Sequence, residues 1–223
     1  MKTNTFLLSY IGFGFIYLLI ILIGMEDVAW FLKPFLIPFL LFAVYFYNDF
    51  LSKKFLLTAL FFSWIGDIIL LFAERDELFF ISGLIAFLIS HIVYILLFNK
   101  QLKEKNKRNK AFYWIGVTLI IVYLFVMLTI LLPSLGDLQL PVLVYAIVLS
   151  TMLLFAFKGF LSWTKPANSY VLLGAIIFVS SDSILAFDKF HEPIAMSSFL
   201  IMVTYLAAQF LIVNGILKLN QKK

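Results

Sequence analysis

The chain has 223 residues, 64% of them hydrophobic and 13% charged, with 27 phenylalanines and a mean hydropathy of +1.07. A soluble domain carries about 45–50% apolar and about 25% charged residues, and a globule of this length has too little interior to hide the surplus. A soluble enzyme, a disordered chain and a nucleic-acid-binding module are therefore excluded, and the lipid bilayer is the solvent for most of the chain. Cysteine is absent and the formal charge is +5, so disulfides, thiolate metal sites and cysteine nucleophiles are also excluded.

A helix crosses the hydrocarbon with about 20 mostly apolar residues. Eight runs meet that condition: 6–24, 30–47, 55–73, 78–98, 111–132, 138–158, 169–187 and 194–217. The predicted fold is all-α: one integral membrane domain over 1–223, a polytopic bundle of eight transmembrane helices. The first run follows Lys2 like a signal peptide, but it exceeds a secretory core of about 7–15 residues and no small-x-small site follows it. It is expected to remain as the first span. The second run holds Pro34 and Pro38, which a helix tolerates near its start. The longest connection, Asn99–Lys110, is mostly charge.

With the N-terminus in the cytoplasm, one side of the membrane receives Lys2, Lys53, Lys54, Lys100, Lys103, Lys105, Lys107, Arg108, Lys110, Lys158, Lys165, Lys218, Lys222 and Lys223. The other side keeps only Lys33, Arg75 and Lys189 of the 17 basic residues. Glu26, Asp27, Glu74, Asp76, Glu77, Asp137, Asp188 and Glu192 fall outside; Asp49 and Glu104 fall inside. This asymmetry satisfies the positive-inside rule with both termini cytoplasmic. The basic charge is thus an orientation signal and points to no nucleic acid. The Lys-rich 100–110 loop is expected to touch anionic headgroups.

Asp67 and Asp182 are the two acids left, both inside apolar runs. A carboxylate at bilayer depth costs about 2.5–3.5 kcal/mol even on the insertion scale, so such residues face a bundle interior and are functional candidates. Both begin an Asp-x-Ile-Leu-x-Phe run. Both lie about five residues, about 7–8 Å, from the outer end of a span running outward. Each is followed by an acidic loop and a return span with a polar cluster: Ser90, His91 and Tyr94, or Thr204, Tyr205 and Gln209. Four spans separate them, so a parallel duplication is expected, with repeats 1–98 and 111–217. Under it, both carboxyls face one central cavity. The structural alternative is that each Asp fastens helices, with Ser63, Ser180, Ser181, Ser183 or Lys33 satisfying it.

His91 is the one histidine inside a span; His191 falls in an outer loop. There is no HExxH and no His pair at helical spacing, so no metal is expected. Tyr94 shares a helix face with His91, and Tyr205 with Gln209; each pair suits a cavity lining or a helix contact. Lys33-Pro34, at the outer start of the second span, offers an ammonium for a phosphate headgroup or a side chain that snorkels. Trp30, Trp64 and the many phenylalanines are expected to face lipid or form an interfacial belt.

Taken together, Lys33-Pro34, Gly66-Asp67, the stretch from Ala86 through His91 to Tyr94, Ser181-Asp182 and Thr204 to Gln209 resemble the YhhN-like family of membrane proteins, whose characterised animal members are lysoplasmalogenases. The resemblance covers essentially the whole chain. It implies hydrolysis of the vinyl ether bond of lysoplasmalogens to a fatty aldehyde and a glycerophospho-ethanolamine or -choline.

The residues suit that chemistry. A vinyl ether resists base and yields to acid: slow protonation of the carbon beta to oxygen gives an oxocarbenium ion, water adds, and the hemiacetal collapses. The site needs a carboxylic acid that keeps its proton near neutral pH and a second group to stabilise the cation or activate water. Asp67 and Asp182 are the candidate acid and base, in either order. His91, Tyr94, Ser181, Tyr205 and Gln209 are candidate lining groups, and Lys33 is a candidate phosphate partner. No cofactor is required. The expected partners are membrane lipids and a lysophospholipid-type substrate, and the expected home is a bacterial inner membrane or its equivalent, since outer membranes favour barrels.

An intramembrane aspartyl protease fits poorly, because Trp64 stands where its Gly-x-Gly-Asp motif needs glycine and Ser181 where Tyr-Asp needs tyrosine. A ceramidase-like zinc hydrolase would need more histidines than His91 and His191 supply. The non-enzyme alternative is a lipid or small-solute transporter, or a lipid-binding protein, with proton-coupled aspartates.

Overall fold

The computed structural model describes residues 2–102 and 110–221, and among them there are helices and turns but no strand. The predicted basic loop residues Lys103, Lys105, Lys107 and Arg108, with Glu104, lie outside the described residues, as do Lys222 and Lys223. Among the described residues, seven helical stretches are long and apolar enough to cross a membrane. The eighth predicted span is an 18-residue helix that includes Lys53, Lys54 and Asp67. The chain is an all-helical, multi-pass membrane protein, and it divides into two compact units, Met1–Leu97 and Phe98–Lys223.

In the first unit, α1 (Lys2–Leu22) packs chiefly on the second span. That span is α2 (Glu26–Leu32), a 3-10 turn (Lys33–Phe35) and α3 (Leu36–Tyr45). The prolines explain the break. Pro34 cannot donate to the Trp30 carbonyl four residues back, nor Pro38 to the Pro34 carbonyl, and the backbone tightens there. Helical order begins at Glu26, so Lys33 lies about 10 Å of rise inside the span and not at its start. Phe6 packs on Phe42 and Phe46, and Phe13 on Phe39, with centroids 5.4–5.5 Å apart. These rings form the α1–α3 seam, where a lipid-facing position was expected. In lipid, close van der Waals packing has to supply helix affinity, and interlocking rings do so.

The remaining helices of this unit are α4 (Lys53–Leu70) and α5 (Glu77–Gln101), whose last turn passes into the second unit. Asp76 caps α5, its Oδ1 accepting the Leu78 N–H at 2.8 Å. Gly66 and Gly83 let α4 and α5 cross closely. A Cβ on Gly66 would lie 2.6 Å from the Phe87 ring, and one on Gly83 2.5 Å from Leu70.

The second unit contains α6 (Lys110–Leu131), α7 (Gln139–Phe160), α8 (Ala167–Phe190) and α9 (Ser197–Leu219). Its most extensive contact is α8 against α9. Small residues permit it. A Cβ on Gly174 would sit 2.9 Å from the Ile212 nitrogen and 3.0 Å from the Ala208 carbonyl oxygen, and one on Gly215 would sit 3.0 Å from the Val171 nitrogen. These are backbone atoms that no rotamer change can move, so the helices touch along their main chains, as small-xxx-small seams do. α7 packs on α8 and α6.

The same substitution should therefore act with opposite signs at two sites. Gly12 in α1 has nothing within 4 Å of its would-be Cβ, so Gly12→Ala should be neutral or stabilising through helix propensity. Gly174→Ala should lose about 1–3 kcal/mol. Unfolding midpoints in detergent mixed with increasing SDS would check both.

Candidate functional site

The polar faces of α4 and α5 meet in the first unit. Ser63, Gly66 and Asp67 recur at helical spacing on α4, and Phe87, Ser90, His91 and Tyr94 do so on α5. All but Gly66 and Phe87 carry polar atoms, and all are buried; Asp67 is 4% exposed. Ser90 Oγ donates to the Ala59 carbonyl at 2.8 Å. Its single proton is then spent, so in the 2.8 Å Ser63–Ser90 contact Ser63 is the donor. A directed chain results, Ser63 to Ser90 to the α4 backbone. Ser63, four residues before Asp67, thus spends its proton across the helix pair. His91 Nδ1 lies 2.6 Å from the Phe87 carbonyl. A carbonyl only accepts, so Nδ1 carries the hydrogen, and neutral His91 has its basic lone pair on Nε2.

α1 adds residues that the sequence did not single out. Its buried positions are Tyr10, Gly14 and Tyr17, one stripe on a helix otherwise turned outward. Both tyrosines lie within the electrostatic reach of Asp67, and Tyr10 also lies within that of Tyr94. The signal available in the sequence was the i, i+4, i+7 spacing of Tyr-Gly-Tyr, in a span whose other residues give no periodicity.

Trp64 Nε1 donates to the Pro34 carbonyl at 2.7 Å, the group that Pro38 leaves without a helical donor. Trp30 Nε1 donates to the Leu71 carbonyl, just past the end of α4, at 3.1 Å. Both indoles were expected to face lipid or the interface. Trp30 does stay 43% exposed, and each indole also ties span two to α4, because a carbonyl in hydrocarbon needs a donor.

In the second unit, Asp182 is half-buried. A donor reaches it from another helix: Tyr145 on α7 donates to Asp182 Oδ2 at 2.6 Å. The neighbouring serines are occupied elsewhere. Ser180 Oγ donates to the Ile176 carbonyl at 3.0 Å, Ser183 Oγ to that of Val179 at 2.6 Å, and Ser181 Oγ to that of Ile201 on α9 at 3.0 Å. Tyr123 on α6 donates to Ser183 Oγ at 2.5 Å and feels the charge of Asp182. Gln209 Nε2 reaches Tyr205 Oη at 3.4 Å, and the Tyr205 ring stands edge-on to Phe178, with centroids 5.6 Å apart. Ser181, Tyr205 and Gln209 therefore belong to the α8–α9 seam, while Asp182 turns toward α7. Thr204 bonds back to the Leu200 and Ile201 carbonyls.

The depths of the two aspartates differ from the expected five residues. α4 ends at Leu70, three residues past Asp67, whereas α8 continues eight past Asp182 to Phe190, which is about 4.5 Å against about 12 Å of rise. Among the described residues, no three His, Asp or Glu side chains gather as metal ligands.

A sequence profile of the YhhN family matches residues 28–216. The chain belongs to the YhhN family. It is 31% identical over 163 residues to human lysoplasmalogenase TMEM86B, covering 70% of this chain and 60% of that protein. It is 32% identical over 157 residues to bovine lysoplasmalogenase TMEM86A, covering 68% of this chain and 60% of that protein. The chain thus matches about 60% of the length of these curated relatives. No solved structure matches it. In this YhhN protein the profile starts after α1, so Tyr10 and Tyr17 lie outside the matched range.

Trp64→Phe should leave the Pro34 carbonyl without its indole donor and lower stability by about 1–2 kcal/mol. Trp30→Phe should lose less, since the Leu71 carbonyl lies at a helix end. Unfolding midpoints of the purified variants would show whether that order holds.

Proposed function

We propose that this YhhN protein hydrolyses the vinyl ether bond of lysoplasmalogen-type lipids, with Asp67 and Asp182 as acid and base. The family membership carries the reading, together with two relatives named as lysoplasmalogenases. The chemistry supports it, because the chain sets a carboxyl group on each of two apolar helices and acid catalysis is what a vinyl ether requires. One carboxylic acid protonates the carbon beta to the ether oxygen. The resulting oxocarbenium ion is stabilised by the other carboxyl, which then takes a proton from the attacking water. The hemiacetal collapses with transfer of that proton to the glycerol oxygen, its own hydroxyl proton passes to the first carboxylate and restores the acid, and aldehyde and glycerophospho-alcohol are released.

In this reading the two carboxyls meet in one water-reachable hollow built from parallel repeats 1–98 and 111–217. His91 and Tyr94 orient water or substrate, Ser181, Tyr205 and Gln209 complete the wall, and Lys33 attracts the headgroup phosphate. Both termini face the cytoplasm of a bacterial inner membrane or its equivalent.

Protein in detergent should release fatty aldehyde from lysoplasmenyl-ethanolamine or -choline, measured by mass spectrometry. Asp67→Asn and Asp182→Asn should each lower the rate by about 10²–10⁴-fold. Wild-type turnover in either variant would remove the catalytic assignment, and proton-coupled uptake into liposomes without product would favour a carrier. The shared hollow has its own test. The chain has no native cysteine, so the double variant Asp67→Cys/Asp182→Cys should be cross-linked within one chain by a short bis-thiol reagent, read as protection from maleimide labelling at both sites.

A further inference from the structure

We propose that Tyr145 is the positioning residue of Asp182: its phenol hydroxyl fixes the carboxyl in the orientation that the reaction uses. The inference rests on the hydrolase reading above and extends it to a residue on a different helix.

Three observations converge on this hydroxyl. First, the bond is short: Tyr145 Oη to Asp182 Oδ2 is 2.6 Å, within the range of hydroxyl bonds to carboxylates. Second, the nearby side-chain donors spend their protons elsewhere. Ser180 and Ser183 turn back to α8 carbonyls, and Ser181 goes across to α9. Ser183 gives its proton to Val179, so Tyr123 must be the donor in the Tyr123–Ser183 contact and spends its own proton there. Third, Tyr145 comes from a stretch of α7, Val142 to Leu149, whose other members are apolar, so the phenol is the one polar group there that can reach α8.

A carboxyl on a single flexible Cβ rotates about two bonds. In acid–base chemistry on a lipid carbon, a misplacement of about 1 Å can cost about 10²-fold. A donor from a neighbouring helix removes that freedom in a way that the serines of α8, tied to their own backbone, do not. Tyr123 gives its hydroxyl proton to Ser183, the residue next to Asp182, and not to the carboxyl. It is therefore the built-in control.

The test pairs kinetics with an infrared readout that does not depend on turnover. The Asp182 carboxyl bands are identified by the difference between wild type and Asp182→Asn. Tyr145→Phe should shift those bands and lower kcat about 10- to 100-fold with KM for lysoplasmenyl lipid nearly unchanged. Tyr123→Phe should leave the bands in place. Should Tyr145→Phe fail to fold, 3-fluorotyrosine at position 145 keeps ring and hydroxyl while strengthening the donor, and the bands should move in the opposite sense. Unshifted bands in both position-145 variants would overturn the proposal. So would shifted bands with wild-type kcat, or a fall in kcat that Tyr123→Phe matches. If Asp182→Asn itself turns over at the wild-type rate, the hydrolase assignment of Asp182 fails, while the infrared comparison still decides whether Tyr145 holds the carboxyl.

Discussion

In hydrocarbon, a polar group that the protein does not satisfy has nothing else to bind. That requirement organises both units. The Pro34 carbonyl, stripped of its helical donor by Pro38, receives the Trp64 indole. Ser63 gives its proton to Ser90 and Ser90 to the Ala59 backbone. Tyr123 gives its proton to Ser183 and Ser183 to Val179. Each chain starts at a donor and ends at a main-chain carbonyl, which has a second lone pair to spare. An ionised carboxyl can end such a chain too, as Asp182 does for Tyr145, but it brings a charge that hydrocarbon penalises and a neutral carbonyl does not. Asp67 and Asp182 therefore invite a chemical account beside the structural one.

The same rule separates what was legible in the sequence from what was not. The number, order and class of the spans follow from runs of apolar residues, because lipid selects on composition and length. Partner choice follows from three-dimensional neighbours. Three serines beside Asp182 made local satisfaction the structural alternative. A helical serine, however, has the carbonyl four residues back within reach and can bend to it, as Ser180 and Ser183 do. The bond to the acid comes from Tyr145, 37 residues earlier, and no periodicity within α8 could have announced it. The indole bonds of Trp30 and Trp64 were hidden for a related reason: the belt preference of indoles does not say which carbonyl on a neighbouring span needs a donor. The consequence of Pro38 was readable in principle, since a proline always frees the carbonyl four residues back. Which donor answers was not.

Phenylalanine shows the same limit from the apolar side. Twenty-seven of them carry no label for lipid or protein, since lipid tails and protein interiors are equally apolar. The rings of Phe6, Phe13, Phe39, Phe42 and Phe46 pair across α1 and α3, whereas Phe125 stays 70% exposed. Glycine was the better guide. Gly174 and Gly215 mark where α8 and α9 bring their backbones together, and Gly66 marks where α4 admits the Phe87 ring next to Asp67.

The two units solve the aspartate problem with related but unequal parts. In the first, a tyrosine stripe from the first span lies within reach of the acid of the third span; in the second, Tyr123 of α6 does the same for the acid of α8. The differences are equally specific: Tyr145 touches Asp182 directly, and α8 runs several residues further past its acid than α4 does. Two carboxyls in identical surroundings would compete for the same proton and the same role. In the hydrolase reading proposed above, one group gives a proton to carbon and another receives one from water, so a pair of acids becomes useful to the extent that its surroundings diverge. A buried acid among serines, histidine and tyrosines in one unit, and a half-buried acid held by a phenol in the other, are surroundings of that kind.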